Sequence, residues 1–84
     1  MVSVTYFVVV PFERNEDGEF VMGKALEVRS ADSARFKVRL LADSGKGGVA
    51  FSRTGDLDLG DFQEGEVLAA LGELPERLET YLSR

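Results

Sequence analysis

The sequence predicts a small α+β fold: a mostly antiparallel, three-stranded sheet, one helix packed on it, and a C-terminal helical tail. Three observations predict it. Val2–Val10 is a β-branched and aromatic run, Ala31–Asp43 repeats its apolar residues at helical spacing, and Gly48–Arg53 alternates once more.

The first run puts Val2, Val4, Tyr6, Val8 and Val10 on one face, and Ser3, Thr5, Phe7 and Val9 on the other. A strand apolar on both faces belongs in the middle of a sheet covered on both sides. Pro11 has no amide donor and is expected to end that strand's ladder. Asp17-Gly18 signals a tight turn. Glu19–Met22, resuming at Ala25–Val28, then reads as a weaker returning strand with a bulge or break at Gly23.

Ser30 is a good N-cap for a helix over 31–43, with Asp32 in the first turn where the helix dipole favours a carboxylate. Ala31, Ala34, Val38, Leu41 and Ala42 share one face of it, and their small side chains permit close approach to a sheet. Phe36 and Leu40 point nearly the opposite way, with Arg35 and Arg39 as a ridge between the two apolar faces. Gly45 is placed to end the helix as a left-handed cap.

Gly48–Arg53 reads as the third strand and Thr54–Gly60 as a loop. Glu66–Leu71 reads as a helical turn closed by Gly72, although Val67, Ala69 and Leu71 also alternate like a strand. Pro75 opens a last helix, with Leu74, Leu78, Tyr81 and Leu82 as its apolar stripe. A hairpin followed by a right-handed crossover gives sheet order 2-1-3, a ββαβ core with the first strand in the middle.

The chain of 84 residues has room for one core, so residues 1–84 are expected to form a single domain. It contains no histidine, no cysteine and no tryptophan. That absence removes Ser–His and Cys–His nucleophile pairs, structural zinc, haem held through His or Cys, and iron–sulfur clusters. No cofactor and no metal are expected. Val2–Val10 is too short to span a membrane and lacks the flanks of a signal peptide, and the missing cysteines fit a reducing compartment. The expected location is the cytoplasm.

The net charge of −5 argues against non-specific nucleic-acid binding, but the charge is segregated. Glu13, Glu16, Asp17 and Glu19 precede a basic middle of Lys24, Arg29, Arg35, Lys37, Arg39, Lys46 and Arg53, and carboxylates dominate again from Asp56 to Glu79. One reading packs the basic middle near the acidic C-terminal third; the other makes it a surface for an anionic partner.

Two places could carry function. The stretch from Ser52 to Asp61 runs off a strand end with Ser52, Arg53, Thr54, Asp56, Asp58 and Asp61, suited to an anion or a hard divalent cation. Its aspartates depart from EF-hand spacing, and turn chemistry accounts for them equally well. The sequence 43–48 resembles a phosphate loop in composition, but it ends a helix where a phosphate loop opens one. The second place is the outer face of the helix, where Phe36, Leu40, Arg35 and Arg39 could form an interface. Its arginines could also touch a nucleic-acid backbone, the weakest of the readings.

The carboxylate pairs Glu64/Glu66 and Asp56/Asp58 lack a cleft in so short a chain, so no enzyme is expected. The expectation is a protein acting through protein–protein contact, most simply as a homodimer. A ligand-binding or enzyme-accessory role for the 52–61 loop is the alternative.

Overall fold

The chain is described by a computed structural model over residues 3–56, 61–62 and 65–76. Six strand segments form one antiparallel sheet, and a single helix among the described residues lies on it. The order along the chain is β1 (Ser3–Arg14), β2 (Phe20–Met22), β3 (Leu26–Val28), α1 (Ala31–Asp43), β4 (Gly47–Asp56), β5 (Asp61–Phe62) and β6 (Glu66–Gly72).

β1 runs past Pro11, which corrects the expectation that this residue ends the ladder. Pro11 lies opposite Gly48 of β4. Its carbonyl accepts from the Gly23 N–H at 2.8 Å, so its donorless nitrogen faces the same outer side. There β2 has ended and β3 has not begun, so the missing donor falls in a gap of the edge. Gly23 belongs to the same arrangement, because a Cβ there would come within 2.9 Å of Pro11 Cγ.

The β1–β2 turn is built by Asn15, whose Oδ1 accepts from the backbone N–H of Asp17 at 2.9 Å and of Glu19 at 3.0 Å. Arg14 seals this end by lying over the Phe20 ring, 4.2 Å from its centroid.

β4 pairs along its whole length with Ser3–Phe12 of β1, and the two form the centre of the sheet. β2 and β3 flank β1 on one side, and β5 and β6 flank β4 on the other. The sheet is therefore wider than three strands in the order 2-1-3: β5 and β6 extend it beyond β4.

α1 begins and ends where its caps require. Ser30 is extended at φ −153°, its Oγ accepts from the Ser33 N–H at 3.1 Å, and Gly45 takes φ +83° just past the end. The helix buries Ala34 and Val38 against Val9 and Ala50, with Val28, Leu41, Leu68 and Ala69 around them. On the opposite face of the sheet Val10, Phe12 and Val49 form a second cluster with Val8, Phe51 and Leu74. Burying each large apolar side chain contributes about 1.5–3 kcal/mol, so β1 is held through both of its faces.

Glu66–Leu71 is strand, not a helical turn. The β4–β6 register shifts between Ala50 and Phe51, and Leu68 and Ala69, adjacent in sequence, both pack toward the α1 side. A bulge of this kind breaks the period of two and makes a strand look helical. Thr54–Asp56 likewise continue β4 where a loop was expected. Pro75 and Glu76 are not helical; Leu78, Tyr81 and Leu82 lie outside the described residues. No helix among the described residues is long and apolar enough to cross a membrane.

Candidate functional site

The alternation of β4 splits the expected 52–61 site between two faces. Ser52 and Thr54 stand on the side that carries α1, and Thr54 Oγ1 meets Thr5 Oγ1 at 2.9 Å across the strands. Arg53 points to the other side, opposite Tyr6. Asp56 and Asp61 are backbone partners at the start of the β4–β5 pairing, and Asp58 lies outside the described residues. Among the described residues no group of three potential metal ligands comes together.

Arg53 instead joins a depression of about 300 Å³ on the face away from α1, lined by Tyr6, Val8, Ala25, Glu27, Phe51 and Arg53. Glu27 from β3 and Arg53 from β4 stand on either side of β1, the floor between them being apolar. Arg53 forms no ion pair among the described residues. Register created this depression: Ala25, Glu27, Tyr6 and Val8 are far from Phe51 in sequence, and no local pattern signals their meeting.

The outer face of α1 is where the helical spacing put it. Phe36 is 63% exposed and Leu40 44% exposed. Leu74, the first residue of the expected C-terminal stripe, does not cover them; it packs on the far face of the sheet, against Val10, Phe12 and Val49. Arg35 is drawn to Asp32 at 3.3 Å, one turn back on the same helix, and Arg39 is exposed.

The segregated charges meet only in part. Lys46 of the basic middle reaches Glu13 at 3.4 Å, and Arg14 reaches Glu73 at 3.7 Å. Among the described residues no ion pair joins the basic middle to the acidic C-terminal third.

Exposed apolar residues also mark the sheet edges: Val21, Met22 and Leu26 on one side, Val67 and Leu71 on the other. The β6 edge is the feature that the helical reading of Glu66–Leu71 hid; the alternation of Val67, Ala69 and Leu71 was its one signal. No polar or charged residue among those described is fully buried. Comparison with known protein families, with curated proteins and with solved structures finds no match for this chain.

Proposed function

We propose that the protein acts by protein–protein contact, as a homodimer that also offers the outer face of α1 to a partner, without catalysis of its own. The observation that carries this reading is the apolar surface left open on so small a chain, at Phe36 and Leu40 on α1 and at Val67 and Leu71 on β6. Phe36 and Leu40, four residues apart on one helix, form an exposed apolar pair of the kind contact surfaces use. The Phe36/Leu40 pair bordered by Arg35 and Arg39 suits a partner whose apolar patch is rimmed by carboxylates.

Light scattering after size exclusion tests the homodimer. A dimer is expected at concentrations on the order of tens of micromolar, and a monomer there would overturn it. Affinity capture from a native lysate tests the α1 face, with wild type and Phe36→Ser/Leu40→Ser as paired baits. A partner captured by wild type and lost with the variant supports the face; identical captures remove it.

A second reading is favoured by the depression beside Arg53, where a small anionic ligand could lie along the apolar floor with Glu27 opposing a second negative charge. Loss of anion binding in Arg53→Ala, measured by calorimetry, would support it.

A further inference from the structure

The two edges of the sheet are built differently. On the β1 side the edge is two segments of three residues each, interrupted at Gly23–Ala25, with Lys24 in the gap and Glu27 within β3. Short, charged, interrupted edges resist pairing with another chain. On the β4 side, β6 is seven residues long with no proline and no basic residue; its one charge, Glu66, is at the first position, and past the bulge at Leu68 the stretch Ala69–Gly72 keeps regular register with β4. Val67 is 55% exposed, and among the described residues β6 pairs with β4 alone.

The ladder identifies which backbone groups face outward. The Glu73 N–H donates to the Lys46 carbonyl at 3.3 Å, and Gly72, Leu71 and Ala70 lie opposite Gly47, Gly48 and Val49. Antiparallel pairs alternate between bonded and non-bonded positions. Leu71 and Glu73 therefore turn their backbone groups toward β4, and Ala70 and Gly72 turn theirs to the open edge.

We propose that β6 pairs antiparallel with β6 of a second copy about a two-fold axis at Ala70, joining the two sheets into one. The proposal rests on the homodimer reading and supplies its surface. At this register Ala70 exchanges both backbone bonds with its own counterpart, and the regular ladder runs over Ala69–Leu71 of each copy, up to the bulge at Leu68. Ala69 and Leu71 share the α1 side of the sheet, being opposite Ala50 and Gly48. Leu71 of each copy then lies beside Ala69 of the other, a large side chain against a small one. A second copy is the occupant this edge fits, because a two-fold contact needs a surface complementary to itself, and an antiparallel strand pair has that property.

Light scattering and amide hydrogen exchange on wild type, Ala70→Pro and Leu71→Lys test it. Ala70→Pro deletes one outward N–H; Leu71→Lys places a charge at the seam on a side chain already 41% exposed, and keeps the proposal testable if the proline variant fails to fold. Expected is a wild-type dimer in which the Ala70 amide is protected, and a folded monomeric Leu71→Lys in which that amide loses protection while Leu71's position keeps it. A dimer that survives Leu71→Lys, with the Ala70 amide exchanging as at an open edge, overturns the edge pairing. If that dimer is lost in Phe36→Ser/Leu40→Ser, the homodimer reading stands with its contact on α1. A monomeric wild type overturns both.

Discussion

Gly47 and Gly45 are two positions apart and fill different needs. A Cβ on Gly47 would run into the Glu73 carbonyl, backbone that cannot swing aside, and would lie 3.0 Å from Leu74 Cδ2. Gly45 has φ +83° but nothing within 4 Å of where its Cβ would be. Gly45→Ala is therefore expected to cost about 1–2 kcal/mol, the penalty of a left-handed backbone. Gly47→Ala must separate β4 from the chain after β6 and is expected to cost more than about 3 kcal/mol. Urea denaturation of the two variants side by side measures the difference, and equal losses would refute the close-approach account. Arg53→Ala, at an exposed side chain with no ion pair among the described residues, should change stability by no more than about 0.5 kcal/mol.

At the scale of the elements, the α1 cap gives a direct test. Ser30→Ala removes the acceptor for the Ser33 N–H and is expected to cost about 1 kcal/mol, read from the shift of the urea midpoint at unchanged slope. α1 was legible in the sequence because cap, apolar spacing and terminal glycine all agree on it. β6 was not, because the bulge places Leu68 and Ala69 on one side and so breaks the strand's alternation. Pro11 misled for a similar reason: its lack of a donor matters only if a neighbour is there to bond, and β2 and β3 leave that place open. At the candidate site, the outer position of Phe36 and Leu40 followed from the helical period. The split of Ser52 and Thr54 from Arg53 also follows from alternation, once β4 is known to continue through them.

For the whole molecule, stability rests on two small clusters, one on each face of the sheet. Phe12 is the largest fully buried side chain among the described residues, and Phe12→Ala is expected to cost about 3–5 kcal/mol. A chain of this length has a total stability of roughly 4–13 kcal/mol, so that one change removes a large part of it. A thermal midpoint within a few degrees of wild type would show that the cluster beneath Leu74 contributes little. The half-exposed ion pairs Arg14–Glu73 and Lys46–Glu13 contribute about 0–1 kcal/mol each, too little to offset such a loss.

The pairing of β1 with β4 also governs when the chain can fold. Phe12 lies opposite Gly47, and Ser3 opposite Asp56, so the central ladder must close a long loop before any of its bonds form. Folding dominated by such distant contacts runs in milliseconds to seconds, slower than the local winding of α1. During synthesis at roughly 5–20 residues per second, β1 waits on the order of seconds with both apolar faces in water before β4 leaves the ribosome. One of the two central strands of the sheet is thus the one that waits for its partner, and Phe7–Val10 is the apolar segment it offers meanwhile to a chaperone that binds such stretches.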